Sequence, residues 1–175
     1  MLADERFMFV SGLPDIRFVF PQRPIPHQCR PMFNPSREEV RQFFCETWRK
    51  ERDGHVLSPL EAIAADWIRE HPEYRPTLDL VEEAAEQEFT PEQGQSNPFL
   101  HLSMHLAISE QISIDQPPGI RHAHERLAAK LGSSHLAQHQ IMECLGETLW
   151  EAQRNNAPLD AAAYVERIQR CASQR

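Results

Sequence analysis

The chain has few of the residues that mark several common kinds of functional site. Its 175 residues include six glycines, and none of them is grouped as a phosphate-binding loop would require. It also lacks the Gly-x-Ser-x-Gly segment that carries the nucleophile of α/β-hydrolases. The four cysteines are far apart and form no Cys-x-x-Cys pair. This spacing argues against a disulfide framework or a zinc knuckle and favours reduced, buried thiols in a cytoplasmic protein.

Long apolar runs and positive charge are also scarce. No apolar stretch reaches the ~18 residues that span a bilayer. Asp4 and Glu5 stand where a signal peptide would carry Lys or Arg, and the apolar stretch 7–10 that follows is too short for one. The formal net charge of −8 disfavours binding to phosphates of nucleic acid or of an anionic membrane. We therefore expect binding to neither nucleic acid nor a membrane. A homodimer or another protein partner is left open.

Residues 1–31 differ in pattern from the rest of the chain. They contain five prolines and two short apolar bursts, and they show no helical period. We interpret them as an irregular, Pro-rich tail that is disordered or loosely attached, or as an upstream start chosen in error. The alternative is an extra strand or arm that packs on the domain. The domain itself is expected over 32–175.

The remainder of the chain carries helix signals throughout. Apolar residues recur at i, i+3 and i+4, and helix-start and helix-stop residues separate the periodic segments. Asn34-Pro35 is typical of a helix N-terminus, and Ser58, Pro59 and Glu61 form a capping box with proline in the first turn. The fold class is therefore all-α, a compact single-domain bundle of about six or seven helices. Their expected ranges are 35–52, 59–71, 78–88, 98–114, 120–131, 134–155 and 160 onwards.

Two histidines lie on the apolar side of the helix expected at 98–114. At about 100° per residue, His101 and His105 fall within the stripe formed by Met104, Ile108 and Ile112. The opposite side of this helix is also partly apolar, which indicates a central, buried helix. A buried imidazole needs partners for its ring nitrogens. Two of them at i and i+4 are close enough to share one metal ion. The alternative is that each is a neutral core residue bonded to a carbonyl or a carboxylate.

The helix expected at 134–155 supplies candidates for a third and a fourth ligand. His139 and Glu143 are again four residues apart, on the flank of that helix's apolar stripe. His135 and Gly146 lie near the same line, and we expect Gly146 to allow close approach of another helix. If His101, His105, His139 and Glu143 converge, three nitrogens and one oxygen would suit zinc, iron, manganese or nickel. No glutamate follows His101 in the His-Glu-x-x-His arrangement, so a zinc protease is not indicated.

Five blocks of sequence resemble one family. They cover 32–37, 97–108, 115–120, 142–147 and 149–154. Together they are similar to the bacterial domain of unknown function 1841, found mainly in proteobacteria, over about 32–172. The resemblance implies a small cytoplasmic helical protein. It brings no established activity, cofactor or catalytic residue to carry over, and the tail is a departure from the family pattern.

Two functions follow from these patterns. The first is an uncharacterised cytoplasmic protein that binds a transition metal (zinc, iron or manganese) through a His-rich core site. The second is a non-catalytic interaction or scaffolding module in which the histidines are structural. An enzyme with a metal-activated water is less favoured, because nothing in the sequence indicates an open coordination position or a substrate pocket. Either function predicts loss of stability in acid, since buried neutral imidazoles must take up protons.

Overall fold

A computed structural model gives the structure of the protein and describes residues 36–80 and 97–174. In these two ranges the chain forms helices and no strand, which confirms the all-α class. None of the described helices has the length and apolarity needed to cross a bilayer. The helices are α1 (Arg37–Arg52), α2 (Pro59–Glu70), α3 (Arg75–Asp79), α4 (Pro98–Ile114), α5 (Ile120–Leu131), α6 (Ser134–Arg154) and α7 (Ala161–Ser173), and a 3₁₀ turn (Pro72–Tyr74) lies between α2 and α3.

The first two helices begin at capping boxes. Ser58 caps α2 and exchanges hydrogen bonds with Glu61, as the sequence predicts. At α1 the prediction is wrong by two residues, because the N-cap is Ser36 and not Asn34. The side chain of Ser36 accepts a hydrogen bond from the Glu39 backbone, and the Glu39 carboxylate accepts one from the Ser36 backbone. This reciprocal pair needs Glu or Gln three residues after the cap, which Ser36 has in Glu39, whereas Arg37 stands at that distance from Asn34.

Polar side chains also cap three of the later helices. Asn97 caps α4 by accepting from two backbone N–H groups, Ser133 caps α6, and Asp160 caps α7. Helix α4 ends at Asp115, which has a left-handed conformation with φ 51°. Its carboxylate accepts hydrogen bonds from the backbone N–H groups of Gly119 and Arg121, and so connects the end of α4 to the start of α5.

The described helices enclose two apolar clusters, and α4 contributes to both. The first cluster lies among α1, α2, α3 and the start of α4; it contains Phe44, Cys45, Ala64, Ile68, Leu78, Phe99 and Leu102. The second lies among the end of α4 and α5, α6 and α7; it is centred on Ile108, Ile120, Leu127, Ile141, Met142, Tyr164 and Ile168. Because α4 packs on both sides, its apolar residues are not confined to one face, as the sequence indicates for a central helix.

Some predictions fall outside the described residues. The tail at 1–31 is among the residues that the structure does not describe. The helix expected at 78–88 overlaps α3 only at its start, since α3 covers Arg75–Asp79 and the description stops at Leu80. The reason α3 begins earlier is that the 3₁₀ turn at Pro72–Tyr74 leads directly into it.

Candidate metal centre

Five histidines from three segments meet between α2, α4 and α6. We call them the histidine cluster: His71, His101, His105, His135 and His139. His101 and His105 lie one turn apart on α4, and His135 and His139 lie one turn apart on α6. His71 follows the last residue of α2 and has φ −121° and ψ 66°. This conformation is expected before Pro72, since proline disfavours the helical region for the residue that precedes it.

The Nε2 atoms of four of these rings form a closed ring of contacts. The Nε2 atom of His71 lies 2.9 Å from that of His105 and 3.0 Å from that of His135. The Nε2 atom of His139 lies 3.1 Å from that of His135 and 3.2 Å from that of His105. The fifth ring is next to this set, with Nε2 of His101 3.3 Å from Nε2 of His71. Four of the side chains therefore direct Nε2 toward one point, and His101 lies beside this set.

The other ring nitrogen of three histidines contacts an oxygen. Nδ1 of His105 lies 3.0 Å from Oε1 of Gln138, and Nδ1 of His71 lies 2.9 Å from the Glu73 carboxylate. Nδ1 of His135 lies 3.4 Å from Oε2 of Glu70. A carboxylate only accepts hydrogen bonds, and so does an amide oxygen. Each of these three Nδ1 atoms therefore carries the proton, and in a neutral ring the corresponding Nε2 atom is left with a lone pair.

Further contacts hold His105 in this orientation. Its ring stacks on the indole of Trp67, with centroids 3.9 Å apart and an interplanar angle of 12°. The indole N–H of Trp67 donates to the hydroxyl of Ser109, and the amide nitrogen of Gln138 donates to the same hydroxyl. This arrangement turns the amide oxygen of Gln138 toward His105. The side chain of His105 is thus fixed by α2 and α6 together.

Burial lowers the pKa of three of the cluster histidines, which favours their neutral form at neutral pH. His71 and His105 are buried, and the other three rings are half-buried. Burial, with neighbouring histidines adding to it, lowers the pKa of His101 to about 3. Burial likewise lowers the pKa of His105 to about 2, although the hydrogen bond with Gln138 acts in the opposite direction. Burial and the nearby His71 also lower the pKa of His135. Neutral imidazole is the form that binds a metal ion.

The structure brings together three of the four residues that we proposed as ligands from the sequence. His101, His105 and His139 belong to the cluster, but Glu143 does not. Its side chain is exposed, and its carboxylate accepts a hydrogen bond from the amide of Gln140. Four residues of α-helix advance about 6 Å along the axis, and the cluster lies at the N-terminal end of α6, away from Glu143.

Sequence reasoning did not select His71 or His135 as ligands. A usable signal exists for His135, since 135 and 139 repeat the four-residue spacing of 101 and 105. His71 has no comparable signal. It stands alone before a proline, and this position indicates only the end of a helix. The expected close approach at Gly146 is also not found among the described residues, since a Cβ atom built there meets none of their atoms within 4 Å.

The fold and the site define an all-helical protein with a buried histidine cluster. A family model described as domain of unknown function (DUF1841) matches residues 36–170. The chain therefore belongs to this family, as the blocks of sequence indicate. No curated protein and no solved structure matches it.

Proposed function

We propose that the histidine cluster binds one divalent transition-metal ion. The observation that carries this proposal is the ring of four Nε2 atoms, whose neighbouring distances run from 2.9 to 3.2 Å. Ligand nitrogens about 2.0–2.1 Å from a zinc ion would lie about 2.8–3.0 Å apart at right angles, and about 3.3–3.4 Å apart in a tetrahedron. The spacing in the cluster lies between these limits, so one ion can bond to all four.

The protonation of the rings supports the same proposal. His71 and His105 both have a protonated Nδ1, so two lone pairs face each other across 2.9 Å. The Nε2 lone pairs of His71 and His135 face each other in the same way, 3.0 Å apart. Without a proton or a cation between them, such lone pairs repel. Because burial lowers the pKa of His105 and of His135, a metal cation is a better partner for these lone pairs than a proton.

The donor set indicates the class of metal. The four ligands whose Nε2 atoms contact one another are imidazoles. Imidazoles suit zinc, copper, nickel and iron, whereas magnesium, calcium and manganese prefer oxygen ligands. Because Glu143 lies outside the cluster, the oxygen donor that would favour manganese is missing from the set. We therefore narrow the expected metals to zinc, iron, nickel and copper, with cobalt as a useful spectroscopic substitute.

The groups behind the ligands are those that metal-binding histidines use. A ligating histidine typically donates its other N–H to a carboxylate or a carbonyl, which orients the ring and raises its basicity. Glu73, Gln138 and Glu70 supply such acceptors to His71, His105 and His135. The proposal covers binding of the metal and includes no reaction.

Elemental analysis of the untagged protein tests this proposal. We expect about one transition-metal ion per chain after purification or after loading with zinc and removal of excess. His105→Ala and His139→Ala should each reduce bound metal at least tenfold. His122→Ala is the matched control, because that ring is exposed and lies outside the cluster.

Two results would contradict the proposed metal binding. If the protein binds no zinc, nickel or copper above the level of His105→Ala, while circular dichroism shows that both are folded, the cluster is a structural element. Retention of metal by His139→Ala at the level of His122→Ala would also contradict the proposed ligand set.

A further inference from the structure

A surface cleft of about 430 Å³ lies beside the histidine cluster. Its walls come from the second half of α2 and the first turn of α6; they include Asp66, Trp67, Glu70, Ser133, Ser134 and His135. We infer that the metal ion enters and leaves the proposed site through this cleft, and that His135 is the first ligand to bind the entering ion. This inference rests on the proposed metal binding.

His135 connects the cleft to the cluster. Among the described residues it is the cluster histidine that lines the cleft, and 25% of its side chain is exposed, compared with 4% for His71. Two of the other cluster rings are covered by aromatic side chains. The indole of Trp67 stacks on His105, and the phenol of Tyr74 stacks on His71 at a centroid distance of 5.3 Å.

The charges around the cleft suit a cation. Glu70 lines it and contacts Nδ1 of His135, so this carboxylate lies at the boundary between the cleft and the ligand ring. Asp66 is a second carboxylate on the same wall. The guanidinium of Arg69 also lines the cleft, but it forms ion pairs with Asp66 and with Glu51. A divalent ion in the cleft therefore meets a carboxylate immediately before it meets an imidazole.

The position of His135 in α6 fits this role. It is the second residue of the helix, directly after the capping segment, whereas His139 lies one turn further into the packed helix. An ion that arrives through the cleft bonds to His135 first and to the buried His105 and His71 afterwards. Release follows the reverse order.

A bulky side chain in the cleft tests this path. Ser134 is exposed and lines the cleft, so Ser134→Trp should obstruct it without removing a cluster histidine. We expect zinc uptake and chelator-driven release, followed by stopped-flow with a fluorescent zinc indicator, each to slow at least tenfold. The equilibrium Kd should stay within about twofold, because an obstructed path changes both rates alike.

Two variants serve as controls. Ser134→Ala removes the hydroxyl that contacts Nε2 of His124 but adds no bulk, and it should keep wild-type rates. Ser173→Trp places the same bulky residue in a different surface hollow, about 380 Å³ in volume and bordered by Arg126 and Glu166, and it should also leave the rates unchanged.

The outcomes separate this inference from the metal proposal. Wild-type rates in Ser134→Trp, with zinc still bound, would overturn the path through the cleft and leave the metal site standing. Equal slowing in Ser134→Trp and Ser173→Trp would overturn it as well. Absence of zinc binding in the wild-type protein would instead overturn the proposed function itself.

Discussion

Individual residues in the site are held by partners that are themselves fixed. His105 is the clearest example, since it is fully buried, stacked on Trp67 and bonded through Nδ1 to Gln138. Gln138 is fixed in turn by its hydrogen bond to Ser109. The proton on Nδ1 and the lone pair on Nε2 of His105 therefore depend on one amide oxygen of a different helix.

Replacement of that amide gives the first prediction at this scale. Gln138→Leu should weaken zinc binding by about 10–100-fold, since the acceptor that orients His105 is lost while all five histidines remain. Competition with a chelator of known affinity measures the change. Gln140→Leu is the matched control, because Gln140 bonds to Glu143 and contacts no histidine of the cluster in the described contacts. Equal affinities in the two variants would contradict this role for Gln138.

Helices α4 and α6 each present a pair of histidines one turn apart, and both helices owe their position to side chains elsewhere along their length. Helix α4 inserts Phe99 and Leu102 into one apolar cluster and Ile108 into the other. Helix α6 packs through Ala137, Ile141 and Met142. These contacts run from its first turns to its middle, while the histidines occupy its N-terminal end.

Gly146 in α6 provides a prediction for a whole element. A Cβ atom there would meet no atom of residues 36–80 and 97–174 within 4 Å, and the backbone is helical, so glycine adds flexibility to the unfolded chain without a packing gain from these residues. Gly146→Ala should therefore raise the free energy of unfolding by about 0.5–1 kcal/mol in urea titrations. Gly132→Ala should act in the opposite direction, because Gly132 has φ +69°. Loss of stability in Gly146→Ala would reveal a close packing that the structure does not contain.

At the scale of the whole molecule, the histidine cluster lies where α2, α4 and α6 come together between the two apolar clusters. A metal ion bound there would link segments that are separated by up to 68 residues, from His71 to His139. It would stabilise the folded state in proportion to its concentration relative to Kd, since the unfolded chain has no such arrangement.

The metal-free protein should lose stability in acid. The pKa values of His101 and His105 are lowered to about 3 and about 2 in the folded state, whereas in the unfolded chain they return to about 6.5. At a pH between the folded and the unfolded pKa values, the unfolded state binds more protons than the folded state. The free energy of unfolding therefore has its full value above about pH 6.5 and falls as the pH decreases. Together the two groups should lower the free energy of unfolding by roughly 2–3 kcal/mol between pH 7.5 and 5.5. A flat free energy of unfolding over this range, measured in urea with chelator present, would contradict the burial of these rings in neutral form.

Much of the fold could be predicted because its signals are local. The capping box at Ser58 and Glu61, the cap at Asn97 and the glycine after α5 each act within one turn of helix, so a short stretch of sequence is enough to locate them. The apolar periodicity of the helices is likewise a property of neighbouring residues. Ser36 shows the limit of such reasoning, since the sequence pattern indicated a cap at Asn34, whereas the hydrogen bonds with Glu39 place the cap at Ser36.

The sequence by itself determined the all-helical class, the family and the pairing of His101 with His105 on one central helix, because residues four apart on a helix must share a face. Only the tertiary structure decided that His71 and His135 join them and that Glu143 does not. His71 reaches His105 across 34 residues of chain, and nothing in the local pattern encodes that distance. The direction in which α6 lies against α4 places the cluster at the first turns of α6, and this direction depends on the packing of apolar side chains between elements that are distant in the sequence.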